Sequence, residues 1–316
     1  MLAGLSVLTA MRAMAYQEYG EPQNLKLMDL PTPKVAPGTV LIRVERAAVN
    51  PVDWKVMAGG LDEMLDVVHP VIPGWDVAGT VEAVGPDSPE FAAGDRVAAY
   101  ARKDFVHGGT YAEYVSAPAT SVAHIPDDVD TTSAAGLPLV GLTALRTLET
   151  LNVTADDTLL IHAASGGVGH IAAQLAVELG ATVIGTSSEA NQATLRELGV
   201  APVVYGEGLA ERMEQVAPDG VTAVADFVGG VLDQSVAVLS EAGRLASVAD
   251  PGVVEHGGRF IWVRPDGPRL QTLLHKVSQG RLRVSIDTVY PLEQAPAALE
   301  HSMGGASGKI LINVAG

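Results

Sequence analysis

The segment from Thr158 to Gly180 is where residue types and spacing point most clearly to chemistry. An apolar run over Thr158–Ala163 is followed by Ala164, Ser165, Gly166, Gly167, Val168 and Gly169, then by Ile171, Leu175 and Leu179 at helical spacing. Set against G-x-G-x-x-G, the turn reads Ala164-x-Gly166-x-x-Gly169. Glycines there let the chain reverse tightly and let a pyrophosphate approach the backbone, its charge resting on the N-terminus of the following helix. Such a turn can also exist without a ligand. Its place between a strand and a helix, with Gly180 stopping that helix, predicts a dinucleotide site.

The next strand, expected over Thr182–Thr186, runs out in Thr186, Ser187 and Ser188, with no acid to hold a ribose 2′-hydroxyl. An acid there would repel a 2′-phosphate, whereas small hydroxyls donate to it, so the pattern favours NADPH over NADH. Glu189 comes one step later and reads as the first-turn acid of a helix reaching to Leu198. Arg196 and Tyr205 are candidates to complete the phosphate pocket; they read equally as a solvated helix arginine and a strand-end tyrosine.

Positioning that turn requires alternating elements, and the sequence supplies them. Short apolar runs at Val203–Tyr205, Ala223–Val228, Arg244–Ala249 and Phe260–Val263, with amphipathic helices between most of them, predict a parallel doubly wound α/β sheet. Upstream, residues 12–118 are strand-rich and punctuated by Pro37-Gly38, Gly85-Pro86 and Gly94-Asp95, which predicts a compact, mostly β domain. A helical stretch near Ala134–Leu151 separates the two styles. After Pro265 come a helix, a strand near Leu282–Val289, another helix and a last strand over Lys309–Val314.

Composition narrows the function classes. The 316 residues carry 20 Lys and Arg against 37 Asp and Glu, a net charge of −17 that repels phosphate backbones and argues against nucleic acid as a partner. With no cysteine there is no disulfide framework, thiolate nucleophile or thiolate metal site. No apolar run is long enough to span a membrane. Met1–Ala10 lacks a basic region and a small-residue cleavage site, so a secretory leader is not expected. Met11 reads as a more natural start, the first ten residues as a loose extension, and a cytoplasmic location fits best.

Further segments carry a resemblance. The turn at Ala163–Gly169, preceded by Gly136–Ala144, is joined by Asn50–Lys55, Pro73–Gly79, Gly108–Tyr114, Asp226–Gly230 and Gly308–Leu311. In this order, from about Arg12 to Val314, they resemble the medium-chain dehydrogenase/reductases, in their quinone oxidoreductase branch. The resemblance implies a GroES-like catalytic domain over 1–124 and 266–316, a Rossmann domain over 125–265, and an active site in the cleft between them. It implies roles in the cleft for Asn50, Asp53 and Lys55, and places Thr143 near the nicotinamide carboxamide. Val228, Ala249, Phe260 and Val263 are taken to complete the cofactor's cradle. The apolar Phe260–Val263 also reads as core packing; the resemblance implies instead an edge through which two copies pair into a homodimer.

Zinc alcohol dehydrogenases of the same superfamily carry a cysteine where this chain has Asn50 and a histidine where it has Trp75, and neither replacement suits a tetrahedral zinc site. The expectation is therefore hydride transfer from NADPH to a quinone or α,β-unsaturated carbonyl without a metal. Hydrogen-bond donors must then stabilise the growing negative charge on oxygen. Asn50 can donate through its amide, Lys55 more strongly or as a proton source through water, and Asp53 orients them. Asn50-Pro51 is also a good turn former, Lys55 also reads as a solvated lysine, and the branch often has a tyrosine at that position. Lys103–Gly108 reads as a substrate loop, through Phe105 or His107, or as a plain polar connection. A zinc-free alcohol or aldehyde reductase, and a nucleotide-binding protein with negligible turnover, stay open as alternatives.

Overall fold

The computed structural model describes residues 10–315; the extension expected ahead of Met11 lies outside them except for Ala10. The chain forms two compact units, one running to Leu139 and resuming at Arg264, the other Val140–Val263.

The first unit opens with β1 (Met11–Ala15), β2 (Lys26–Leu30), β3 (Thr39–Ala48), α1 (Pro51–Met57), β4 (Asp66–Ile72) and β5 (Asp76–Val84). It continues through β6 (Arg96–Tyr100), β7 (Phe105–Gly108), β8 (Tyr114–Pro118), β9 (Val122–His124) and α2 (Thr131–Ala135). Helix α3 (Pro138–Thr150) leads onward. The sequence changes style near Pro126, ahead of this division, because α2 packs on β3 and β5 and buries Ala134 and Ala135.

In the second unit the order is β10 (Thr158–His162), α4 (Gly167–Glu178), β11 (Thr182–Ser187), α5 (Gln192–Glu197), β12 (Ala201–Val204) and α6 (Leu209–Val216). Then follow β13 (Val221–Asp226), α7 (Leu232–Val238), β14 (Leu239–Ser247) and β15 (Arg259–Phe260). The six strands lie side by side as β12-β11-β10-β13-β14-β15, all parallel. This is the doubly wound Rossmann order, and its direction reverses between β10 and β13, where such sheets open a crevice at their carboxyl ends. Leu160, Ile184, Val224 and Leu245 from four strands bury against Leu209, Met213 and Val238. Each such side chain contributes roughly 1.5–3 kcal/mol on burial.

The chain then returns with α8 (Gly267–Ser278), β16 (Ile286–Pro291), α9 (Ala295–Gly304) and β17 (Lys309–Asn313). β17 pairs antiparallel with β3, so the last strand completes the sheet of the first unit, ordered β16-β17-β3-β5-β6-β9 with β8 also on β3. Two expected strands are trimmed. Leu282 donates back to Lys276 and belongs to the turn closing α8, so β16 begins only at Ile286. In Phe260–Val263 only the first residue is strand; Ile261 still donates to Ser247, while Trp262 is left 37% exposed.

Candidate active site

In the second unit, β10 ends in a turn held from behind by β11. Ala163 takes a left-handed backbone (φ 55°), its N–H donates to Thr186 Oγ1 at 3.0 Å, and Ala164 N–H donates to the Thr186 carbonyl at 2.9 Å. Gly166 caps α4, with its own N–H on the Ala163 carbonyl. A Cβ on Gly169 would lie 2.1 Å from that same carbonyl oxygen, so only glycine lets helix and turn approach this closely. The first-turn N–H groups of α4, over Gly167, Val168 and Gly169, have no partner within the helix, as the helix geometry dictates. Such a turn could hold a pyrophosphate.

The groups expected at the adenosine end are arranged unevenly. Thr186 and Ser187 are buried, the first spent on the turn and the second donating to the Ser188 carbonyl, whereas Ser188 is half-buried. Arg196 is exposed and donates to Gln192, while Tyr205 is 60% exposed. Two neighbours had not been singled out from the sequence. Asn191 donates to Ser165 Oγ at 3.3 Å, and Arg212 ties the loop beyond β12 by donating to the carbonyls of Val204, Tyr205 and Gly206.

At the carboxyl ends of β13 and β14, buried Asp226 accepts from the N–H groups of Val228 and Gly229 and from Ser247 Oγ, which itself accepts from Ala249 N–H. That bracket leaves Val228 and Ala249 exposed on adjacent loops. Phe260 packs on the apolar core of the unit, and Val263 is half-buried. Thr143 is 5% exposed and its hydroxyl has no partner, an orphan that a ligand amide would satisfy. Cradle and orphan hydroxyl both fit a nicotinamide dinucleotide.

The first unit holds a buried polar cluster at the start of α1. Asn50 ends the segment after β3 in extended conformation, and Pro51 supplies the fixed φ of a helix's first residue. Asp53, one turn in, accepts from the Asn50 N–H and from Tyr111 Oη, both at 2.9 Å. The Asn50 side chain donates from Nδ2 to Asp76 Oδ2 at 2.9 Å and accepts at Oδ1 from Lys309 Nζ at 2.5 Å. Lys309 also donates to the Val49 carbonyl, and Asp76 Oδ1 accepts from Leu139 N–H. Asn50, Asp53, Asp76 and Lys309 are each at most 4% exposed.

Burial dominates the electrostatics of this cluster. It pushes the Asp53 carboxyl up to about 7 and that of Asp76 up to about 6, against the opposing pull of their hydrogen bonds and of Lys309. It lowers the Lys309 ammonium, which Asp76 and Asp53 hold toward the charged form. Asp53 Oδ1 has no partner; neither does Tyr16 Oη, and both residues line a small pocket with Val71, Gly74, Trp75 and Val106. Lys55 is exposed, its Nζ 5.5 Å from the centre of the Trp54 ring. In β7, Phe105 is 48% exposed and His107 Nδ1 lies 2.7 Å from the Val68 carbonyl oxygen.

Asp76, Tyr111 and Lys309 were not picked out as site residues from the sequence. A signal was there: Asp76 interrupts the apolar stretch Trp75–Ala78, and Lys309 opens the run Ile310–Ile312. Charges of opposite sign at the heads of two apolar strands call for each other, because a buried charge needs compensation. Among the described residues, no group of three or more His, Cys, Asp or Glu side chains could hold a metal ion, and no helix is long and apolar enough to cross a membrane.

The first unit has a sheet completed by the last strand, β17, and the second has the Rossmann strand order; comparison with known proteins finds a family for each. Residues 36–127 match the alcohol dehydrogenase GroES-like domain, and 167–262 match the family described as zinc-binding dehydrogenase. The chain is 30% identical to quinone oxidoreductase of Homo sapiens over 96% of its own length and 97% of that protein. It is 31% identical to the NADPH-dependent alkenal/one oxidoreductase, chloroplastic, of Arabidopsis thaliana, over 98% of this chain and 81% of that one. The solved quinone oxidoreductase from Coxiella burnetii superposes with a TM-score of 0.87 at 33% identity, covering 96% and 99% of the two chains. The chain belongs to the medium-chain dehydrogenase/reductase superfamily, in its quinone oxidoreductase-like branch. It is an oxidoreductase of that type.

Proposed function

We propose that the protein reduces a quinone or an α,β-unsaturated carbonyl with NADPH and without a metal. The observation that carries this reading is the Asn50 amide. Its oxygen is taken by Lys309 and one of its hydrogens by Asp76, which leaves one N–H for a substrate oxygen. The names of the relatives, quinone and alkenal/one oxidoreductases, support the same acceptor class.

NADPH is favoured by the missing acid at Thr186–Ser188, with Ser188, Arg196 and Tyr205 as the groups that would meet a 2′-phosphate. The turn from Ala164 to Gly169 would hold the pyrophosphate, and Thr143 Oγ1 the carboxamide, with Val228, Ala249, Phe260 and Val263 completing the cradle. Bound there, the nicotinamide supplies a hydride. Freedom from a metal is supported by the donor set: there is no cysteine, and the Lys309 cation already rests on Asn50 and repels a divalent ion.

As hydride adds to the acceptor, an electron pair collects on its carbonyl oxygen, where the free Asn50 N–H donates to it. In a buried site such a donor is stronger than in water. The reduced acceptor then takes a proton. Asp53, raised to about 7 with Oδ1 uncommitted, can hold that proton near neutrality and pass it on through water. Lys55, exposed on α1, would return protons from solvent. We also read the protein as a cytoplasmic homodimer pairing beside β15, where Trp262 is exposed.

The test is steady-state oxidation of NADPH and NADH with 1,4-quinones, enones and simple aldehydes, repeated with Asn50→Ala. NADPH with quinones or enones is expected to be fastest, and Asn50→Ala should lose about 100-fold in kcat, the usual cost of removing an oxyanion donor. An unchanged kcat in Asn50→Ala removes the proposal; a tenfold preference for NADH removes its cofactor half.

A further inference from the structure

We infer that Lys309 is a positioning residue that works through Asn50, setting the direction of its amide and sharpening its N–H as a hydrogen-bond donor. The inference rests on the reading of Asn50 just given.

The direction follows from the partners. Lysine only donates and carboxylate only accepts, so with Lys309 on one side and Asp76 on the other the amide cannot turn over. Were it reversed, two donors would face each other at Lys309 and two acceptors at Asp76. The remaining N–H therefore has a single orientation. Each restraint is itself anchored: Lys309 Nζ by the Val49 carbonyl, Asp76 by the Leu139 N–H.

Sharpening follows from charge. An ammonium 2.5 Å from an amide oxygen draws electron density from the nitrogen and makes its hydrogens better donors. Both members are at most 4% exposed, so little water screens the effect. Three chain segments far apart in sequence converge here: the N-terminus of α1, the first residue of β5 and the first residue of β17. A purely structural lysine at a strand start would gain more by staying in water.

The benefit should grow with the basicity of the oxygen that develops on the acceptor. Enones, whose enolates are strongly basic, depend on a sharpened donor more than quinones bearing electron-withdrawing groups. Lys309→Met removes the charge at nearly constant length. It should lower kcat for enones by about ten- to a hundredfold and for such quinones by about fivefold or less, with KM and the NADPH dissociation constant within about threefold. A plot of log kcat against acceptor basicity thus steepens. Because the chain has no cysteine, Lys309→Cys introduces a unique thiol. Aminoethylation of that thiol in denaturant, followed by refolding, restores an ammonium at nearly the same reach and should restore kcat.

A variant-free measurement covers the case in which Lys309→Met does not fold. With asparagine side chains labelled with ¹⁵N, the Asn50 amide hydrogens of the intact protein should resonate downfield of the other asparagines. The inference is overturned if that signal sits among the ordinary ones, if Lys309→Met slows all acceptors equally, or if aminoethylation restores nothing. Loss of activity in Asn50→Ala alongside an unaffected Lys309→Met sinks this inference alone. An unaffected Asn50→Ala sinks the reading beneath it.

Discussion

Substituting Gly166 and Gly169, two of the three glycines at the start of α4, separates a turn that only folds from a turn that binds. On Gly169 an added Cβ would sit 2.1 Å from the Ala163 carbonyl oxygen and 2.7 Å from Ala164 Cα, both backbone atoms that cannot swing aside. Turn or helix must move, at a cost of about 1–3 kcal/mol for such overpacking. Gly166 differs. Its φ is −75°, ordinary for alanine, and the nearest atom to its added Cβ is the Ala163 carbonyl oxygen at 3.3 Å. Gly166→Ala should therefore fold with a melting temperature within a few degrees of wild type, whereas Gly169→Ala should lose more. If a pyrophosphate lies on this turn, the Gly166 methyl displaces it and breaks a hydrogen bond to a charged group, worth about 1.5–3 kcal/mol. At 1.4 kcal/mol per decade this is a loss of roughly 10- to 150-fold in NADPH affinity. The assay is a fluorescence titration of NADPH beside a thermal melt. NADPH affinity within threefold of wild type in a normally folded Gly166→Ala protein would refute the cradle and leave the turn a structural one.

Three further outcomes follow from the same geometry. Arg196→Gln should weaken NADPH by about five- to tenfold, the worth of one exposed phosphate contact, and leave NADH unchanged; equal effects on both would remove Arg196 from the pocket. Asp53 is raised from 3.8 to about 7, so its stabilising contribution is complete below pH 4 and is lost as pH rises through 7. Asp53→Asn does not ionise, and its amide nitrogen can take the place of the unpartnered Oδ1; its melting temperature should gain on wild type between pH 5 and 8, and a constant gap would contradict the raised carboxyl. Trp262→Glu should shift the protein from dimer to monomer by light scattering, and a wild-type monomer would remove the homodimer reading.

The second unit was legible because its signals are local. The β10 turn, its helix and the glycine after it lie within some twenty consecutive residues, and the apolar strands of a parallel sheet read as continuous runs because both faces are covered. Boundaries were less so. Nothing local marks that Leu282 folds back onto α8, or that the strand after β14 pairs for only two residues, since both depend on partners elsewhere in the chain. The hydroxyls of Thr186 and Ser187 illustrate the same limit at the site: their types suggested a phosphate pocket, but only the fold reveals that both face inward.

The polar cluster of the first unit was half legible for a different reason. Asn50 and Asp53 stand in one helical turn, and their i, i+3 spacing at a Pro-led helix start is a local pattern. Asp76 and Lys309 stand 26 and 259 residues from Asn50, and no periodicity ties them to it. What links them is a cost: a carboxylate and an ammonium each buried at the head of an apolar strand, which neither strand can tolerate alone. Removing Lys309 therefore does two things at once, uncovering two buried carboxyls and freeing the Asn50 oxygen. Asp53 and Asp76 can answer the first by taking up protons, since both are already raised toward neutrality. The second has no such answer in charge, because among the described residues no other cation bonds the Asn50 oxygen. The loss should therefore fall on the donor strength of the amide more than on the integrity of the fold.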